Sequence, residues 1–150
     1  VDFENGIQTL NFEDATHVCL LLQALRWRII HLRGVYPKRE AVLVCTKNDN
    51  WGPTTPIEAD FEKVATLVTS SHLVDVQFVN ALAGDYEGRS YLCDDSFIES
   101  IIEVMLKEKN DTDVRKLLLT TLQKISLRRP ALLCMINNGL VKWTINTIKI

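Results

Sequence analysis

From Asp111 to Lys149 the chain reads DTDVRKLLLTTLQKISLRRPALLCMINNGLVKWTINTIK, a stretch that leaves room for little besides three consecutive helices. Val114, Leu117, Leu118, Leu122 and Ile125 recur at the spacing that lines one face of a helix. Pro130 cannot continue that helix, because it lacks the amide N–H and biases the preceding residue away from helical geometry. It can open a new, short helix reaching Asn137, which Asn138-Gly139 ends. Leu140 to Ile148 then begins a third. The same order is written once more upstream. Val74, Phe78, Val79 and Leu82 match Val114, Leu118, Leu119 and Leu122 at an offset of 40 residues. Phe97, Ile98, Ile102 and Met105 match Leu140, Val141, Ile145 and Ile148 at an offset of 43.

The remaining chain is consistent with helices throughout. Val18, Leu21, Leu22, Leu25, Ile29 and Leu32 predict an amphipathic helix over 12–32, ended by Gly34, with Trp27 off the stripe and packing against a neighbouring segment. A second helix, 37–48, starts with Pro37 in its first turn. The turn formers from Asn48 to Thr55 predict a loop. Thr55-Pro56-Ile57-Glu58 then forms a capping box for a helix to about Thr69, and Ser71 caps a helix over 72–86. Glu87-Gly88-Arg89 is expected to break the chain, and Ser96-Phe97-Ile98-Glu99 is a second capping box. No segment alternates as a strand does. An all-helical chain with a period in the low forties predicts an armadillo or HEAT-like right-handed solenoid, whose repeats bury their apolar faces only against one another. The kinks expected at Gly88-Arg89 and Arg129-Pro130 favour armadillo. The units fall at about 12–54, 55–93, 94–136 and 137–150, in a segment expected to belong to something longer.

Composition narrows the function classes. With 47% hydrophobic and 24% charged residues the chain is that of an ordinary folded protein. Residues 57–113 are strongly acidic and residues 114–150 carry only basic charges, a dipolar distribution that either orients partners or is a solvated face. Cys19, Cys45, Cys93 and Cys134 sit apart in apolar runs and read as core side chains. No apolar run, Val18 to Leu22 included, is long enough to span a bilayer, so no membrane insertion is expected.

Chemistry has few footholds. His17, His31 and His72 are scattered away from any nucleophile motif, and His17 and His31 lie about four turns apart, too far to share a metal. Glycine-rich phosphate loops are missing, so neither an enzyme nor a cofactor is expected. Asp94-Asp95 reads as the negative charge favoured at a helix start. Asn80, within Val79-Asn80-Ala81-Leu82-Ala83, resembles the groove asparagine with which armadillo repeats hold an extended peptide, although the next copy has threonine at 120 and 121. An importin-like peptide adaptor is therefore one reading. Arg128 and Arg129 either pair with an acidic partner or neutralise the carbonyl end of the preceding helix. Asn80, Lys124, Arg128 and Arg129 are the candidate partner-binding residues. Arg26, Arg28, Arg33, Lys38 and Arg39 form a basic stretch that faces either solvent or an acidic surface such as a tubulin tail; no nucleic-acid module is present.

Two strings carry a family resemblance. LLLQALRWR at 20–28 is followed by Pro37-Lys38-Arg39-Glu40-Ala41-Val42-Leu43 and Asn48-Asp49; LQKISLRRP at 122–130 is followed by Met135-Ile136, Gly139-Leu140 and Trp143. Between them Val79-Asn80-Ala81, Glu87-Gly88-Arg89 and Tyr91-Leu92 keep the register. In these strings the chain resembles the LisH-domain-containing, armadillo-repeat-containing protein nine family, from about residue 12 onward. It departs from the family around Trp51-Gly52-Pro53 and at Ala131-Leu132-Leu133. The resemblance implies a non-catalytic protein of the ciliary basal body and proximal axoneme. It also implies action alongside a TOG-array microtubule-binding protein in axoneme stability and ciliogenesis, and dimerisation of the full-length protein through an N-terminal LisH element. Direct binding of tubulin is the competing expectation.

Overall fold

The computed structural model describes residues 15–47, 73–108 and 112–148. Among them every regular element is a helix: α1 (Ala15–His31), α2 (Val35–Lys47), α3 (Leu73–Leu82), α4 (Tyr86–Tyr91), α5 (Asp95–Lys107), α6 (Asp113–Ile125), α7 (Arg129–Asn137) and α8 (Leu140–Ile148). The loop around Trp51, the helix expected over 56–69 with its Thr55 capping box, and the Ser71 cap lie outside the described residues.

Local chemistry sets the ends. Gly34 follows α1 with φ of 96° and Gly139 separates α7 from α8 with φ of 74°, a backbone region that costs glycine nothing. Pro130 sits in the first turn of α7, where its missing N–H has no helical partner to lose. Asp94 caps α5 by accepting from the Phe97 amide at 3.0 Å. The cap is thus Asp94 and not the Ser96 expected from the capping-box pattern; Ser96 is drawn into the helix, and its hydroxyl donates to Asp94 Oδ1. Thr112 caps α6 by accepting from the Arg115 amide at 3.2 Å.

The helices pack in two rows. In the first, α1 lies on α3 and α3 on α6; in the second, α2 lies on α4 and α5 on α7, with α5 packing across on α6. Phe78, Leu82, Phe97, Ile98, Ile101, Met105, Leu118, Leu122 and Ile125 are fully buried between the rows. Each contributes on the order of 1.5–3 kcal/mol of burial. α1 supplies Leu22, Leu25 and Ile29, and α2 supplies Ala41, Val42 and Cys45.

Three expectations need correction. The first copy of the helix order does not break at Gly88-Arg89. α3 ends at Leu82, the turn is Ala83 to Asp85, and Gly88 lies inside α4. Gly88 is required there by proximity, since a Cβ would sit 1.9 Å from the Leu82 carbonyl oxygen. The register of the first helices also differs. Asp75, Phe78, Val79 and Leu82 are buried in α3, and the buried residues of α6 are Leu118, Thr121, Leu122 and Ile125, so the two sets correspond at 43 residues rather than 40. The same offset takes buried Gly88 to buried Ala131 and Leu92 to Met135. Trp27, finally, packs on its own helix: its ring stacks on His31 at 4.2 Å, and half of it remains exposed.

Candidate interaction groove

The end of α3 explains how the site is built. A helix leaves its last carbonyls without amide partners. Here the Gly84 amide turns back to Ala81 O at 3.1 Å and the Asp85 amide to Leu82 O at 3.2 Å, so Asn80 O receives neither. Lys124, reaching across from α6, donates to Asn80 O at 2.9 Å and to its side-chain Oδ1 at 2.8 Å. Arg89 closes two carbonyls of the turn that follows, Ala83 O at 3.2 Å and Gly84 O at 3.1 Å. Two cations thus terminate one helix, where the backbone dipole favours positive charge. At the corresponding place 43 residues on, Gln123 O accepts from the neighbouring Ser126 hydroxyl at 2.7 Å, a local solution that needs no lysine.

Around this junction lies an open depression of about 310 Å³. Arg26, Ile29 and Ile30 of α1 form one wall, Lys38 of α2 one end, Gln77, Asn80 and Ala81 of α3 the floor with Gly84 and Asp85, and Leu117 and Lys124 of α6 the far wall. The Asp85 carboxylate is committed elsewhere. It accepts from the Glu87 amide at 2.9 Å as the cap of α4, and it lies 3.9 Å from Arg39 Nε. Lys124 is half-buried, and burial, with Arg89 nearby as a lesser cause, pulls its ammonium below the ordinary lysine pKa.

Of the four residues singled out in the sequence, Asn80 and Lys124 are brought together, with the buried Thr121 hydroxyl 3.4 Å from Asn80 Oδ1. Thr121 also donates to Leu117 O at 2.8 Å. The position equivalent to Asn80 in the second copy is Gln123, on the exposed side of α6, so the threonines at 120 and 121 were the wrong comparison. Arg128 does not join the junction; it covers the ring of Tyr86 at 4.5 Å. Arg129 is exposed at the start of α7. The helix-end role expected of these arginines belongs, in the first copy, to Arg89. Arg26 and Lys38 were visible as a basic stretch, but their convergence with Lys124 depends on the stacking of α1, α3 and α6.

Of the cysteines expected in the core, Cys45 and Cys134 are buried in it, Cys93 packs half-buried against it, and Cys19 is only partly buried. Burial pushes the Cys45 thiol up to about 12 and the Cys134 thiol up to about 11, Asp95 adding to the latter. Among the described residues no group of three or more His, Cys, Asp or Glu side chains converges as a metal site, and no helix is long and apolar enough to cross a membrane.

No protein-family model matches the chain, and no solved structure matches it. Curated relatives do. The chain is 35% identical to the LisH domain-containing protein ARMC9 of Rattus norvegicus across 99% of its own length and 21% of the rat protein's. The Mus musculus protein of that name is 34% identical, with 99% and 18% covered. The Homo sapiens one is 33% identical, with 86% and 16% covered. The chain spans about a fifth of the length of these relatives. Over that stretch, it belongs to the family of the LisH domain-containing protein ARMC9.

Proposed function

We propose that this chain is a non-catalytic protein-interaction scaffold, an armadillo-type right-handed helical solenoid serving the basal body and axoneme of the cilium. The observation that carries the scaffold reading is the groove itself. Three helices, α1, α3 and α6, stack side by side and present an open, mixed polar and apolar trough with Asn80 on its floor and Lys124 on its far wall. The correspondence of buried positions at 43 residues supports the repeat architecture, since a repeated unit leaves one face for a neighbour and one for a partner. The ciliary role, with a TOG-array microtubule-binding protein as partner, rests on the resemblance set out from the two strings at 20–28 and 122–130. Proximity labelling tests it. A biotin ligase fused to the chain in ciliated cells is expected to label basal-body and axonemal proteins above the level of free ligase. Labelling indistinguishable from free ligase would overturn the reading.

A second reading, direct contact with tubulin, is favoured by the convergence of Arg26, Lys38 and Lys124 on one trough. Co-sedimentation of the chain with microtubules decides it: pelleting at low salt that fades as salt is raised is expected, and none at low salt ends it.

A further inference from the structure

Among the described residues the groove's charge is unbalanced. Arg26, Lys38 and Lys124 come from three different helices to line it, and among the described residues no carboxylate pairs with any of them. Asp85, the carboxylate on its floor, already serves the α4 cap and Arg39. Two of the three Lys124 N–H groups go to Asn80, which leaves one for a ligand. Between the cations the surface is mixed, apolar at Ile30, Ala81 and Leu117 and polar at Gln77 and Asn80. From α1 across α3 to α6 is two interhelical spacings, roughly 16–20 Å, or about five to six residues of extended chain. A small anion is too short to meet both walls. Among the described residues no aromatic side chain lines the trough, so they offer no platform for stacking nucleic-acid bases.

We propose that this groove binds an extended acidic segment of a partner protein, its carboxylates meeting Arg26, Lys38 and Lys124 while its intervening side chains pack on Ile30, Ala81 and Leu117. This inference rests on the scaffold reading and supplies the partner's chemistry. Arg26 can take a carboxylate through two parallel N–H bonds, and Lys38 and Lys124 act as point charges. A carboxylate beside Lys124 also restores some of the solvation that burial removes from its ammonium.

Fluorescence anisotropy of a fluorescein-labelled Glu-rich peptide, set against its Gln-for-Glu counterpart, tests the proposal on the chain. The Glu peptide is expected to bind and the Gln peptide to bind at least about tenfold more weakly. Arg26→Gln and Lys38→Gln each weaken the Glu peptide roughly threefold and together about tenfold, whereas Lys142→Gln on exposed α8 changes nothing. Both groove substitutions are at partly exposed positions, so unchanged helical circular dichroism is expected to accompany the loss. Equal binding of the two peptides, affinity unmoved by the double substitution, or competition by a single-stranded oligonucleotide as strong as by the unlabelled Glu peptide would each overturn it. A ciliary proximity-labelling result alongside any of these would leave the scaffold reading standing and remove only the acidic-segment assignment.

Discussion

A methyl group placed at Gly88 would meet the Leu82 carbonyl oxygen, a backbone atom held by the turn at Ala83 to Asp85. Neither partner can rotate away, so α4 has to move. Gly88→Ala is expected to cost about 2–3 kcal/mol, read as a shift in the midpoint of urea denaturation. Ala131, its counterpart 43 residues on, shows that the copies differ in how close the short helix comes. Cys45 offers a residue-scale test of another kind. Its thiol ionises near 9.0 when unperturbed and at about 12 in the fold. Burial therefore contributes stability that is complete below pH 9, where both states are protonated. That stability is lost as pH rises towards 12, at up to about 1.4 kcal/mol per pH unit. The stability gap between the parent chain and Cys45→Ala should narrow across that window in denaturation experiments at stepped pH. A constant gap would contradict the assignment.

At the scale of elements, the helix ends are set by side chains of different reach. Asp94 and Thr112 cap α5 and α6 within three residues of themselves. Asp94→Ala should cost about 1 kcal/mol in the same denaturation assay, with Asp94→Asn nearly neutral because the amide oxygen still accepts from Phe97. Lys124 acts over 44 residues, closing α3 from α6. Such a contact couples two stacked helices, whereas an N-cap stabilises only its own. The Asn138 side chain works similarly at the other row, donating to Cys134 O at 3.0 Å within the turn and lying 3.4 Å from Glu99 on α5.

For the molecule as a whole, the copies are alike in pattern and unlike in coverage. Ile102 on α5 is 4% exposed beneath its neighbours, while Ile145, its counterpart on α8, is 48% exposed. Val141 and Ile148 are likewise uncovered, where Ile98 and Met105 are buried. Ile102→Lys should therefore strand a charge in the core and cost several kcal/mol, enough to abolish a cooperative unfolding transition. Ile145→Lys should stay within about 0.5 kcal/mol of the parent. Equal effects of the two substitutions would mean that α8 is covered as α5 is.

Helix type and order were legible in the chain because they depend on local interactions: the stripe from Val114 to Ile125, Pro130 opening α7, and Gly34 and Gly139 adopting positive φ. The armadillo-like pattern Val79-Asn80-Ala81-Leu82-Ala83 singled out Asn80, and a family string the 122–130 segment, for the same reason, both being contiguous. The break near Gly88 was misplaced because a glycine reads as a breaker until the approach of the Leu82 carbonyl shows it to be a contact. The register slipped by three residues because Val74 and Val114 match in hydropathy alone, and hydropathy does not report which face a neighbour covers. The groove was decided wholly by tertiary structure. Arg26, Lys38, Asn80 and Lys124 are separated by up to nearly a hundred residues, and only the packing of α2 on α1, α1 on α3 and α3 on α6 brings the three cations to one groove.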